Sequence, residues 1–184
     1  MENFIKLMLA FGIGLLLVLL AMPKVIPFLH KMKFGQVERE EGLESHKKKG
    51  GTPTMGGVVF VLAAVIAAFV VNYKNIANPN LILITIVLVG YSLIGFVDDA
   101  LIILKHQNEG LKAWQKFLMQ AILAVGCYLY LENFVPGFTT EVTIPVVKVN
   151  IDFGWFYAIL VFIMFTGESN GVNLSDGLDG LATG

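Results

Sequence analysis

Long apolar runs alternate with shorter polar segments along the whole chain. Several runs approach the ~20 apolar residues that a helix needs to cross a bilayer. Because only helices and closed barrels satisfy their backbone hydrogen bonds in lipid, the pattern predicts an all-α polytopic membrane protein with about five to six transmembrane helices. The runs cover residues 4–22, 55–71, 81–97, 117–131 and 154–165, and a sixth helix is expected from Asn173 onward.

The first run is predicted to be a retained helix that ends at Pro23 and Pro27, because proline interrupts helical hydrogen bonding. A secretory signal peptide is the competing interpretation. It requires a basic amino-terminal region and a small-residue cleavage site. Met22-Pro23-Lys24 is a poor cleavage site and further apolar runs follow, so the retained helix is preferred.

Residues 136–152 differ from the rest of the chain. Polar and apolar residues alternate over 140–144 and again over 147–151, on either side of Pro145. A period of two is typical of a β-strand with one exposed face. The segment is therefore expected to form a small β-hairpin.

Composition supports the membrane assignment. Of the 184 residues, 56% are hydrophobic and 15% are charged, whereas a soluble domain carries roughly a quarter charged residues. The sole cysteine, Cys127, lies in an apolar run, so the chain has no disulfide framework. The net charge of −1 indicates no particular partner, and no nucleic-acid partner is expected.

Positive charges are distributed unevenly between the segments that connect the runs. The segments on one side hold ten lysines and arginines, and those on the other side hold three. Cytoplasmic segments of membrane proteins carry the excess. The predicted topology is therefore multi-pass, with the N-terminus and the hairpin extracytoplasmic. Residues 24–54, residues 98–116 and the stretch after Gly167 are predicted to be cytoplasmic.

The first polar stretch with candidate chemistry covers residues 45–57. It combines Lys47, Lys48 and Lys49 with a continuation rich in glycine and threonine. Backbone N–H groups can approach a phosphate closely at glycine, and positive charge favours the anion. Attraction of the lysines to lipid head groups is the alternative.

The second stretch is the adjacent pair Asp98 and Asp99, which closes the third apolar run. Like charges in contact raise one another's proton affinity, so the pair is expected to have a partner: a divalent cation, a lysine or a proton to be moved. Adjacent helical side chains point about a hundred degrees apart. Both carboxylates can serve one site only if the helix frays there. A solvated helix end is the alternative.

The third stretch covers residues 170–181. Asn170, Asn173 and Asp176 recur at every third residue, which places them near one face of a helical turn. Gly177 and Gly180 open the backbone to a ligand. Oxygen-only ligands suit Mg²⁺, which bridges protein carboxylates to substrate phosphates. A solvated loop is the alternative.

The three stretches together resemble a known family. Residues 45–57, 96–99 and 170–181 are similar to the phospho-N-acetylmuramoyl-pentapeptide transferases of the polyprenyl-phosphate N-acetylhexosamine-1-phosphate transferase superfamily. The resemblance implies transfer of phospho-MurNAc-pentapeptide from UDP-MurNAc-pentapeptide to undecaprenyl phosphate, which gives lipid I and UMP in peptidoglycan synthesis. It also implies Mg²⁺ as the cofactor and a bacterial plasma membrane as the location, in contact with membrane lipid, and it allows a homodimer.

The resemblance further implies roles for single residues. Asp98 receives or positions the proton of the lipid phosphate, Asp99 supports it or the metal, and Asn173 reaches the metal. Direct attack by the lipid phosphate is favoured over a two-step route through an enzyme-linked phosphate. The implied substrate-binding residues are Lys49, Thr54, Lys116, Asn170, Asp176, Gly177, Leu178 and Asp179, the last three of which are expected to cradle the uracil.

Two features depart from the family pattern. Ile102 stands where the family usually has a lysine, so one anion-binding charge is missing or is replaced by Lys105. Family members also continue for several more spans, with another acidic metal ligand and a histidine-rich motif. Residues 1–184 are therefore expected to form a single integral membrane domain, the N-terminal part of a longer transferase, and to be inactive alone.

Two other functions remain as alternatives. A related transferase that uses UDP-GlcNAc shares most of these motifs, although the run from Ser45 to Met55 points to the muramoyl branch. A cation-coupled transporter would place its ionisable groups near the middle of the membrane. Here they lie at the ends of apolar runs, on one side.

Overall fold

The computed structural model describes residues 2–31, 55–105 and 110–175. These ranges contain five α-helices, one short 3₁₀ helix (Tyr73–Asn75) and one two-stranded sheet. The chain divides into two compact units, Met1–Lys112 and Ala113–Gly184. The elements are α1 (Glu2–Lys31), α2 (Gly57–Val71), α3 (Pro79–Lys105), α4 (Ala113–Phe134), β1 (Glu141–Ile144), β2 (Val149–Asp152) and α5 (Phe156–Ser175).

The prediction of an all-α polytopic membrane protein with a small hairpin is confirmed. Within the described ranges, three helical segments are long and apolar enough to cross a bilayer: Asn3–Lys31, Pro79–Leu104 and Ala113–Phe134. Helices α2 and α5 contribute two shorter apolar segments. Many large apolar side chains on these helices are exposed in the isolated chain, as expected for surfaces that face lipid.

In the first unit, α2 packs against both α1 and α3. The contact with α1 uses small residues. Ala63 and Ala67 are buried, and a Cβ on Gly14 would lie 4.0 Å from that of Ala67. Small side chains let two membrane helices approach closely.

The expected end of the first helix at Pro23 and Pro27 is wrong, because α1 continues through both prolines to Lys31. Each proline removes one backbone hydrogen bond to the residue four positions earlier. The remaining turns still satisfy their own backbone groups. Membrane helices tolerate such interruptions, so proline there is weak evidence for a helix end.

In the second unit, α4 packs against α5. Gln120, Ala124 and Cys127 are the buried residues of α4, and their spacing places them along one face. The rings of Phe117 and Phe162 meet edge to face at 4.9 Å between centroids. The buried face of α4 therefore carries the polar side chain of Gln120 beside the small residues Ala124 and Cys127.

The predicted hairpin is confirmed as an antiparallel pair in which Glu141 lies opposite Asp152 and Ile144 lies opposite Val149. Its second strand begins at Val149, two residues later than expected, because residues 145–148 form the turn. The turn closes through a 2.8 Å hydrogen bond from Lys148 N–H to the Ile144 carbonyl.

Candidate functional site

Asp98 and Asp99 lie inside α3 and not at its end, which corrects the expected position of the pair. Helix α3 continues to Lys105 because Ala100–Leu104 are helix-compatible apolar residues. The helix from Pro79 to Asp98 is about 30 Å long, which matches the thickness of a bilayer's hydrocarbon core. If α3 enters a bilayer at Pro79, the pair lies at the opposite boundary.

The continuous helix also means that the two carboxylates do not converge through fraying. They diverge by about a hundred degrees around the axis, and both are half-buried. Asp98 Oδ1 accepts a 2.7 Å hydrogen bond from the Leu111 N–H. Asp98 is thus held by backbone that follows α3, in a way that the motif alone did not indicate.

Gly110 makes this contact sterically feasible. A Cβ at position 110 would collide with Asp98 Oδ1 and would lie 2.8 Å from the Asp98 carbonyl oxygen. Both approaches are closer than real Cβ contacts, and one of them involves backbone that cannot rotate away. Gly110 and Leu111 are therefore site residues that sequence reasoning missed. The sequence shows Gly110 in a polar, charged stretch. The twelve positions between Gly110 and Asp98 follow no helical or strand period, so the sequence does not predict their contact.

Ile102 lies one helical turn after Asp98, and residues four apart share a face of a helix. The side of α3 that carries Asp98 therefore continues with an apolar residue where the family usually has a lysine. The backbone of Lys105 forms the last residue of α3, and its side chain lies outside the described part of the structure.

The basic, glycine-rich stretch is described only from Met55 onward, so the predicted residues Lys49 and Thr54 lie outside the described residues. Met55 has a φ of 69°, in the left-handed region. Such a conformation is uncommon for a side chain other than glycine, and it is found more often near functional sites. Helix α2 begins two residues later without a side-chain cap.

Lys116 lies in the first turn of α4 and is half-buried. A cation is unfavourable there, because the N-terminal end of a helix carries partial positive charge. Gln120 follows one turn later on the same side of α4.

Asn170 and Asn173 both lie in α5, three positions apart along the helix. The expected fifth span, residues 154–165, was too short: α5 runs to Ser175 and includes Asn173 in its last turn. Asn173 therefore does not open a sixth helix. The side chain of Asn173 lies outside the described residues, as do four predicted site residues: Asp176, Gly177, Leu178 and Asp179.

Asn170 is anchored by two hydrogen bonds. Its Nδ2 donates to the Thr166 carbonyl at 2.9 Å and to Gln120 Oε1 at 3.2 Å. The hydrogen bond between Gln120 and Asn170, a predicted substrate-binding residue, thus joins α4 to α5.

Residues 2–31, 55–105 and 110–175 contain no group of three or more His, Cys, Asp or Glu side chains that could hold a metal ion. A closed, all-protein metal cage is therefore not formed by the described residues. The predicted ligands, a carboxylate and an amide oxygen, fit Mg²⁺, which often uses one or two carboxylates and completes its shell with water and substrate phosphates.

Apolar helices of spanning length, joined by a small antiparallel hairpin, define a polytopic membrane protein. Residues 81–184 match the model of glycosyl transferase family 4. The chain belongs to that family. Residues 49–61 also match signature 1 of the phospho-N-acetylmuramoyl-pentapeptide-transferases.

Curated relatives of this chain are named phospho-N-acetylmuramoyl-pentapeptide-transferase, as the signature is. The chain is 44% identical to the phospho-N-acetylmuramoyl-pentapeptide-transferase of Halalkalibacterium halodurans over 97% of its own length and 54% of the relative's. For the Bacillus subtilis protein of that name, identity is 44% over 93% of this chain and 52% of the relative. The Shouchella clausii protein of that name is 47% identical, over 88% of this chain and 50% of the relative. The chain thus spans about half the length of these relatives.

Proposed function

We propose that this chain contributes to the transfer of phospho-MurNAc-pentapeptide from UDP-MurNAc-pentapeptide to undecaprenyl phosphate, with lipid I and UMP as products. The observation that carries the proposal is the similarity of nearly the whole chain to proteins named for this reaction. The match at residues 49–61 supports the muramoyl branch over a transferase that uses UDP-GlcNAc. A cation-coupled transporter is not favoured, because the family is one of transferases.

The proposed reaction is a direct displacement. An oxygen of the lipid phosphate attacks the sugar-linked phosphorus of the UDP substrate, and the bond from that phosphorus to the UMP oxygen breaks. Such phosphoryl transfer depends on alignment and charge neutralisation more than on covalent chemistry by the protein. The protein's task is to bring two anionic substrates together and to remove the proton of the attacking phosphate.

Asp98 is the proposed acceptor of that proton. Its Oδ1 is held by the Leu111 N–H, and the glycine at position 110 lets the backbone there lie against it. A carboxylate that is fixed by backbone keeps one orientation toward a substrate, which favours proton transfer at short range. Asp99, about a hundred degrees away on the same helix, is proposed to support the metal.

Mg²⁺ is the proposed cofactor, and Asp99 and Asn173 are its proposed protein ligands on the basis of their motifs. When bound, the ion would neutralise charge on the diphosphate. The protein supplies oxygen ligands only, in agreement with the preference of Mg²⁺. Because few protein ligands are involved, binding of the ion is expected to depend on the nucleotide.

The remaining motif residues are proposed to bind the nucleotide substrate. Lys116, whose charge is unfavourable for the helix end that carries it, is proposed to contact a phosphate. Asn170 presents an amide from α5. The other proposed contacts are Lys49 and Thr54 from the basic stretch, and Asp176, Gly177, Leu178 and Asp179 from the segment after α5.

The test is an assay of the full-length protein, purified in detergent, with undecaprenyl phosphate, Mg²⁺ and a labelled sugar nucleotide. UDP-MurNAc-pentapeptide should give a lipid-linked product and stoichiometric UMP. UDP-GlcNAc serves as the matched donor and should give none. Product from UDP-GlcNAc alone would replace the proposal with the related transferase, and product from neither donor would reject both.

A further inference from the structure

Gln120 is a buried polar residue that the proposed reaction does not yet use. Its side chain is 1% exposed and lies on the face of α4 that also buries Ala124 and Cys127. Its Oε1 accepts the hydrogen bond from Asn170. Its Nε2 has no hydrogen-bond partner within the described ranges.

The hydrogen bonds of Asn170 determine which of its amide atoms remains available for a further hydrogen bond. An amide nitrogen carries two hydrogens, and both are committed, one to the Thr166 carbonyl and one to Gln120 Oε1. Exchanging the oxygen and nitrogen of Asn170 would place two acceptors against each other. Asn170 therefore offers its Oδ1, an acceptor, to any ligand.

Stability does not explain a glutamine at position 120. A buried donor without a partner is less favourable than an apolar group of the same size, and methionine has nearly the same length. Thr166 Oγ1 is a second buried polar atom in this part of the helix pair that has no hydrogen-bond partner among the described residues. An apolar residue at position 120 could not accept the hydrogen bond that Asn170 donates to Gln120 Oε1.

We propose that Gln120 is a positioning residue, which holds the Asn170 amide so that its Oδ1 accepts a hydrogen bond from an N–H or O–H group of the uridine nucleotide. This inference rests on the proposed function, in which Asn170 contacts the nucleotide. It adds a residue on α4 that acts through α5 and touches no substrate itself.

The test measures UMP binding to the full-length protein by calorimetry in detergent with Mg²⁺. Gln120→Met removes the acceptor and should weaken UMP binding about tenfold, the effect of one lost orienting hydrogen bond. Its midpoint of thermal unfolding should stay within about 2 °C of the parent. Gln120→Glu retains an acceptor oxygen and lacks Nε2, so its UMP affinity should stay within about threefold.

A double-mutant cycle separates positioning from a general structural role. Gln120→Met should add no further loss to Asn170→Ala, because both act through one group. Additive losses, an unchanged affinity in Gln120→Met, or an equal loss in Gln120→Glu would each overturn the inference. Gln120→Ala, which cannot overpack the helix interface, provides a second truncation judged by the same criteria if Gln120→Met does not accumulate.

The outcomes distinguish this inference from the proposed function. Weaker UMP binding in Asn170→Ala, with unchanged binding in Gln120→Met, would reject the role of Gln120 and leave the nucleotide site intact. No UMP binding by the parent protein would reject both. Unchanged UMP binding in Asn170→Ala would reject the role of Asn170 and, with it, that of Gln120.

Discussion

At the scale of single residues, Asp98 and Asp99 have the same chemistry and different positions around α3. The backbone of residues 110 and 111 lies against Asp98, which accepts the Leu111 N–H. Asp99 lies about a hundred degrees further around the same helix. The two side chains therefore leave the helix in different directions, and the role proposed for each carboxylate can be tested separately.

Replacing Asp98 with asparagine tests proton transfer with little change in shape. Asparagine can still accept the Leu111 hydrogen bond through its oxygen, but it cannot take a proton. Turnover of lipid I in the full-length protein should fall by about 10²–10⁴-fold, the usual contribution of general acid–base catalysis. UMP affinity, measured on the same preparation, should be unchanged. Turnover near that of the parent would reject the proton-accepting role.

Gly110→Ala tests the close approach of the loop to Asp98. The added methyl group would lie too close to both the carboxylate and the carbonyl of Asp98. The backbone at residues 110 and 111 must therefore move, and the Leu111 hydrogen bond should lengthen. Overpacking of this kind typically destabilises by about 1–3 kcal/mol. Lipid I synthesis should fall about tenfold, as expected for about 1.4 kcal/mol of lost orientation.

The matched control is Gly126→Ala in α4, where a Cβ would meet no atom within 4 Å. This change should be neutral or slightly stabilising, because alanine favours a helix interior more than glycine. Equal activities of the Gly110→Ala variant, the control and the parent would show that Asp98 does not depend on the loop.

At the scale of elements, the apolar pattern predicted which helices exist and misplaced several of their ends. The length of an apolar run reflects the thickness of the bilayer, whereas backbone hydrogen bonding determines the residue at which a helix ends. Helix α1 therefore continues past Pro23 and Pro27, and α3 continues past Asp98. The hairpin was predictable because alternation around Pro145 is a local signal. The contact of Gly110 with Asp98 was not predictable, since it joins residues whose spacing follows no helical or strand period.

The hairpin carries a pH-dependent contact at its base. The Thr140 hydroxyl and the Gly154 N–H donate to the Asp152 carboxylate, and both hold the pKa of Asp152 below its ordinary value. The charged form is therefore favoured in the folded hairpin. This contribution to stability is complete above the unfolded pKa of about 3.9 and is lost as the pH falls through the lower, folded value.

Amide hydrogen exchange of Val149–Asp152, corrected for intrinsic rates, should thus show constant protection from pH 7 to about 4 and a decrease below it. Thr140→Val keeps the shape and removes the main cause of the shift, so the decrease should become smaller. Protection that rises on acidification, or an unchanged profile in Thr140→Val, would contradict the assignment.

At the scale of the whole molecule, the distribution of lysine and arginine predicts that the hairpin and the start of α4 lie on opposite sides of the membrane. The 22-residue helix α4 connects them, and its length of about 33 Å is sufficient to cross the hydrocarbon core. The same distribution predicts that residues 98–116, which include Asp98 and Lys116, face the cytoplasm.

Cysteine labelling tests this topology, because the chain's sole cysteine, Cys127, is buried and can be replaced by alanine to give a clean background. Val146, in the hairpin turn, is 91% exposed, and Ala113 is exposed at the start of α4. In that background, Val146→Cys should react with a membrane-impermeant maleimide in intact spheroplasts, and Ala113→Cys should react only after permeabilisation. The opposite pattern would show that the predicted orientation is wrong. Labelling of both positions in intact spheroplasts would mean that α4 does not cross the membrane.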